Sequence, residues 1–124
     1  MTNLVLLYLG AILTFLWGVA HLFPTKSIVA GFGDISFDNK MIVTMEWIVE
    51  GVSLIFIGAV VAVVTYLDPD SMISQAVYWV CFLALNTLSL VSLFTGFKIK
   101  FILFKLCPVI FTGSSILILL GSYI

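Results

Sequence analysis

Five side chains in this sequence could do acid–base or hydrogen-bonding chemistry where their neighbours offer none: His21, Glu46, Glu50, Asn86 and Lys105. All lie in or beside long apolar runs. An ionisable group inside such a run is costly to bury, so it marks a candidate site for binding or proton handling. Glu50 stands out. Trp47 precedes it, Gly51 follows it, and any reasonable placement of its helix leaves it at least a turn inside apolar surroundings. A carboxylate there must be paired, hydrogen-bonded or protonated. Trp17 and Trp47 add flat faces on which a ring could stack.

Helical geometry predicts that these groups gather. At about 100° per residue, Gly10, Thr14, Trp17, Gly18 and His21 share one face of a first helix. Glu46, Glu50, Ser53 and Ile57 share one face of a second. Gly10, Thr14 and Gly18 form a small-xxx-small row, the usual surface for close helix contact in a membrane, and should carry His21 inward with it. With about 1.5 Å of rise per residue, His21 lies roughly 3 Å, Glu46 and Lys105 roughly 7 Å, and Glu50 and Asn86 roughly 13 Å from the same boundary. Four helices thus place polar groups in one half of the bundle.

Plainer roles compete with chemistry at each position. Glu46 and Lys105 suit a membrane interface, the lysine by snorkelling. His21, just before Pro24, suits a helix C-terminus, and Asn86 suits interhelical hydrogen bonding. His21, Glu46 and Glu50 are metal-ligand types, but a lone His without a Glu-x-x-His pair predicts no metal site. There is no Ser–His–Asp spacing and no phosphate-binding loop, so no catalytic residue is assigned.

The elements that position these residues follow from composition. Of 124 residues, 63% are hydrophobic and 9% charged, and the mean hydropathy is +1.31. A soluble chain this short cannot hide so much apolar surface, so lipid is the expected solvent. The expected fold is all-α: a single antiparallel four-helix transmembrane bundle with spans at about 3–23, 41–66, 72–95 and 100–124. The first run lacks a signal peptide's positive start and cleavage site, and reads as a retained span. The loop 24–40, with Gly31 and Gly33, permits an interfacial segment without specifying a helix.

Lys26 and Lys40 fall in the first connection, and Lys98, Lys100 and Lys105 at the third. The opposite side carries Asp68, Asp70 and the termini. By the positive-inside rule the loops 24–40 and 96–100 are cytoplasmic and both termini face outward, in a cell membrane. Trp47, Tyr66, Tyr78, Trp79 and Tyr123 are placed near span ends, as an aromatic belt would be. Cys81 and Cys107 lie in apolar runs and read as small buried hydrophobes. Without Arg or a basic cluster, no nucleic-acid partner is expected. Pro108, with Gly113, Ser114 and Ser115 after it, could open a small cavity beside Glu50.

The stretch Phe15-Leu16-Trp17-Gly18-Val19-Ala20-His21-Leu22-Phe23-Pro24 and the run Met45-Glu46-Trp47-Ile48-Val49-Glu50-Gly51-Val52-Ser53-Leu54 resemble the DoxX-like group of small four-helix membrane proteins. The resemblance covers mainly residues 10–60. It implies a quinone- or redox-associated role and a membrane redox enzyme as partner.

Three functions use the same residues. One is a ligand-binding or accessory membrane subunit, in which a quinone or other small hydrophobic molecule bonds to Glu50, with His21 or Asn86 as second partner. Another is a proton-coupled transporter or channel, in which Glu50 and His21 exchange protons and a homo-oligomer completes the path. The third is an intramembrane enzyme on a lipid or isoprenoid, with Glu46 and Glu50 as acid and base. The sequence leans toward the first and away from an enzyme.

Overall fold

The computed structural model describes residues 2–100 and 102–124. It has helices α1 (Leu4–Leu22), α2 (Thr25–Ala30), α3 (Phe37–Leu67), α4 (Met72–Phe94) and α5 (Ile102–Tyr123), with a single 3-10 turn at Gly96–Lys98 between the last two. Among the described residues there is no strand. Polar side chains begin three of the helices: Asn3 accepts from the Leu6 amide at 3.2 Å, Ser36 from Asn39 at 3.1 Å and Ser71 from Ser74 at 3.0 Å. Each satisfies a donor that the first helical turn cannot. The four long helices are each apolar and extended enough to cross a membrane.

Two boundaries differ from expectation. Thr25–Ala30, in the connection whose glycines obscured it, forms a helix, and its last turn is closed by the Gly31 amide. In addition α3 starts at Phe37, four residues before the expected Met41, because Ser36 caps it. At about 1.5 Å per residue its 31 residues span about 46 Å, against about 28 Å for the 19 of α1. Its first turns project beyond the end of α1.

Around the bundle the order is α3, α1, α5, α4. The α1 helix packs closely on both α3 and α5, α4 packs chiefly on α5, and α3 and α4 share the least surface. Glycines set the α1–α3 approach. A β-carbon on Gly18 would stand 2.6 Å from the Gly51 carbonyl oxygen, and one on Gly58 would stand 2.6 Å from the Ala11 carbonyl oxygen. The small-residue row therefore packs as read from the sequence, with Gly10, Thr14, Gly18 and His21 all buried. Leu7, Leu54, Leu85, Phe111 and Ile118 fill the centre with almost no exposure.

The α3 helix turns differently from expectation. Its buried stripe is Gly51, Leu54, Gly58, Val61 and Thr65, whereas Glu46 and Ser53 are exposed and Glu50 lies on the stripe's flank. The glycines decide this, because only their edge lets the α3 backbone meet that of α1. Glu50, about 100° round from Gly51, is left facing the α4 side.

The two ends of the bundle are unlike. At one end lie both termini and the Asp68–Ser71 turn, where the Asn3 amide donates to the Gly121 carbonyl at 2.7 Å. There Thr65 and Tyr78 share a hydrogen bond of 2.8 Å and the Ser74 hydroxyl donates to the Val64 carbonyl at 3.2 Å, tying α3 to α4. Tyr78 is fully buried in this contact rather than part of an aromatic belt. At the other end lie α2, the start of α3, the 3-10 turn and the start of α5, and with them all five lysines. Cys81 and Cys107 are free and buried.

Candidate functional site

His21 closes the last turn of α1, one turn after Gly18, and the close α1–α3 approach sets it against α3. Its Nε2 lies 3.3 Å from Glu50 Oε2. Trp47, one turn before Gly51, stacks on the His21 ring with centroids 4.4 Å apart and planes 20° from parallel. Its indole N–H donates to the His21 carbonyl oxygen, one of the acceptors that a helix C-terminus leaves open. Phe104 of α5 meets Trp47 edge-on at 5.6 Å. The imidazole is thus held from two directions, through its backbone and through its face. Only its Nε2 edge points at the carboxylate.

The depths inferred from sequence put His21 and Glu50 about 10 Å apart along the bundle axis, yet they touch. The discrepancy lies in the frame. Counting from Met41 ignored the turns of α3 that project past α1, and Glu50 belongs at the level of the α1 terminus.

Beside this pair the bundle is open. Because α3 and α4 are tied at the opposite end and diverge here, a cleft of about 240 Å3 runs between them, lined by His21, Trp47, Glu50, Val91, Ser92, Thr95, Gly96, Ile99, Phe104 and Cys107. It adjoins a shallower groove of about 430 Å3 along Ile42, Val43, Glu46, Val49, Glu50, Ser53 and Leu88. Glu50 belongs to both. Its side chain is 38% exposed and that of His21 is 7% exposed, so the carboxylate is the reachable member of the pair. Together these spaces are within the size range of small-molecule sites, mostly apolar with few polar anchors.

Behind the pair lies a smaller chamber of about 60 Å3, lined by Trp17, Ala20, His21, Pro24, Ile28, Trp47, Phe104 and Cys107. The buried Trp17 Nε1 has no oxygen or nitrogen acceptor within hydrogen-bonding reach; it meets the Cys107 sulfur, a weak acceptor.

The remaining candidates stand elsewhere. Glu46 is exposed one turn from Glu50, at the mouth of the groove. Asn86 donates from Nδ2 to the Phe82 carbonyl of its own helix at 2.8 Å, and lines neither space. Lys105 is half-buried at the start of α5 and lines neither. Pro108 lies within α5, where Ser89 donates to its carbonyl at 3.1 Å and shares a 2.6 Å bond with Thr112. Ser114 and Ser115 are fully buried and do not reach the cleft. Ser92 and Thr95 were not singled out from the sequence. Their only signal was their position on α4 at the level of the lysine-bearing turn.

Among the described residues no three His, Cys, Asp or Glu side chains converge as a metal site would require. No protein-family model, no curated protein and no solved structure matches the chain.

Proposed function

We propose that the protein is a multi-pass membrane protein that binds a small apolar molecule with a hydrogen-bonding head, of the quinone or quinol kind, in the cleft between α3 and α4. Glu50 is the exposed anchor, His21 is its partner, and Trp47 and Phe104 are the apolar walls. One observation carries this reading: a carboxylate–imidazole pair in apolar surroundings, with its carboxylate facing a sideways opening between two helices. A ligand dissolved in the bilayer would enter there without crossing water. A hydroxyl head would donate to the Glu50 carboxylate, and a carbonyl head would accept from the pair's proton.

All five lysines at one end support a cytoplasmic placement of that end, with both termini outside. The cleft then opens near the inner leaflet. The DoxX-like resemblance runs over the same two segments that build the pair, and it favours an accessory subunit of a redox enzyme over an independent catalyst. A second reading rests on the same contact. Glu50 and His21 could relay a proton, with a homo-oligomer completing the path across the membrane.

The test is extraction of bound lipids from protein purified gently from its host membrane, comparing wild type with Glu50→Gln. A quinone or other apolar molecule that leaves with wild type and is lost in the variant is the expected result. No bound molecule in either, with equal thermal stability, would reduce Glu50 to a structural residue.

A further inference from the structure

The buried row of α4 runs through Ser74, Tyr78, Cys81, Leu85 and Ser89, and stops there. Ser92 continues it. At about 100° per residue it lies within about 60° of each of those five side chains, so it sits on the face that α4 turns to the bundle. Yet it is only half-buried, because the bundle is open at this level. Its exposure therefore comes from the cleft of about 240 Å3, of which it forms part of the α4 wall while Glu50 stands on the α3 wall.

Its hydroxyl is also uncommitted. A serine or threonine inside an apolar helix commonly donates back to the carbonyl of the preceding turn. Thr87 and Thr95 of α4 do so, to Leu83 at 2.9 Å and to Val91 at 2.6 Å, and Ser89 reaches across to Pro108 and Thr112 of α5. The Ser92 oxygen makes no hydrogen bond among the described residues, and unlike the unpartnered Ser114 oxygen it is not sealed in. A polar group in apolar surroundings is costly to leave unmatched. The cleft thus presents a hydrogen-bonding group on each wall: a carboxylate with lone pairs to spare on α3, and a hydroxyl able to donate or accept on α4.

We infer that Ser92 is the second anchor of the cleft, and that the ligand's head carries two hydrogen-bonding oxygens on opposite edges, one held by Glu50 and one by Ser92, so that it bridges α3 and α4. The inference rests on the cleft being a ligand site, and it narrows the ligand to an amphiphile with a two-edged head. A head with a single polar group would go to Glu50, the stronger partner because of its charge, and leave Ser92 unmatched. The groove's apolar wall, Ile42, Val49 and Leu88, suits an alkyl or prenyl tail.

The experiment uses the full chain in detergent micelles under argon, with binding followed by titration calorimetry. The probes are 2-decylhydroquinone, with hydroxyls on opposite ring edges; 3-decylphenol, which keeps one of them; and decylbenzene, which has none. In wild type the affinities should fall in that order. Ser92→Ala should weaken 2-decylhydroquinone about tenfold and leave 3-decylphenol unchanged, whereas Glu50→Gln should weaken both. If Ser92→Ala fails to fold, Ser92→Cys, close in shape but a weak donor, takes its place. A merely structural role for Ser92 would change both probes alike. Unchanged affinity for 2-decylhydroquinone in Ser92→Ala, or an equal loss for both probes, overturns the inference. If Glu50→Gln still weakens both, the cleft reading survives that loss. If neither polar probe binds wild type better than decylbenzene does, both readings fall.

Discussion

Substituting Gly18 with Ala adds one carbon, and the structure fixes where it must go. It would lie 2.6 Å from the Gly51 carbonyl oxygen, 2.8 Å from the Ile55 amide nitrogen and 2.9 Å from Ile55 Cγ1. Two of those atoms belong to the α3 backbone, held in its helical hydrogen bonds, so neither can step aside. The helices must part by several tenths of an ångström. Overpacking of this kind costs about 1–3 kcal/mol, and the better helix propensity of Ala returns at most about 1 kcal/mol. The net expectation is a loss of about 1–2 kcal/mol. Gly113 is the internal control. A β-carbon there meets nothing within 4 Å, so Gly113→Ala keeps only the propensity gain. Reversible unfolding by sodium dodecyl sulfate in mixed micelles, followed by tryptophan fluorescence, reads both. The two variants should shift the midpoint in opposite directions. Equal stability of Gly18→Ala and wild type, or a loss in Gly113→Ala as large as in Gly18→Ala, would refute the claim that backbone contact at this seam holds α1 on α3. His21 follows Gly18 by one turn and Glu50 adjoins Gly51, so Gly18→Ala should also weaken whatever binds at the pair.

Tyr78→Phe should cost about 1 kcal/mol in the same unfolding assay. A double-mutant cycle with Thr65→Val should give a coupling of about 0.5–1 kcal/mol, since Thr65 retains its bond to the Val61 carbonyl when Tyr78 is changed. Trp47→Phe keeps the stacking ring but loses the donor to the His21 carbonyl, so it should loosen the pair and raise the Kd of any cleft ligand more than it lowers stability. In a chain lacking Cys81 and Cys107, a cysteine at Ser36 should react with a membrane-impermeant thiol reagent only from the cytoplasmic side, and one at Asp70 only from outside. Reaction of both from the same side would reject the proposed topology.

The four long apolar helices were legible because their runs are apolar almost throughout, and because Pro24 and Asp68-Pro69-Asp70-Ser71 interrupt them. The inward face of α1 was legible too, since Gly10, Thr14 and Gly18 lie on one line with His21. The rotation of α3 was not. Its acidic residues and its glycines mark faces only about 100° apart, and periodicity does not say which a neighbour will prefer. The backbone contact through Gly51 and Gly58 prevails, because a β-carbon there would clash at once, whereas Glu50 can stay at the flank and find His21. Asn86 shows another limit. An amide deep in a helix reads as a link between helices, but it can equally bond back to its own preceding turn, and here it does. The level of Glu50 was misjudged because hydropathy reports where a membrane could lie, not where a neighbouring helix stops.

The uneven tie between α3 and α4 has a mechanical consequence. Fastened through Thr65, Tyr78 and Ser74 at one end and parted at the other, the two helices form the arms of tweezers, with the Asp68–Ser71 turn as pivot. Spreading the tips parts the seam with the least packing, and the motion turns on the α1–α5 contact that joins the α1–α3 pair to the α4–α5 pair. The part of α3 that extends past α1 is then a handle: a load applied near Phe37, by a partner protein or by a change in bilayer thickness, is passed along an unbroken helix to the carboxylate at the jaw. A molecule lodged beside Glu50 is then gripped or let go from the lysine-bearing end of the bundle, without any rearrangement at the pivot.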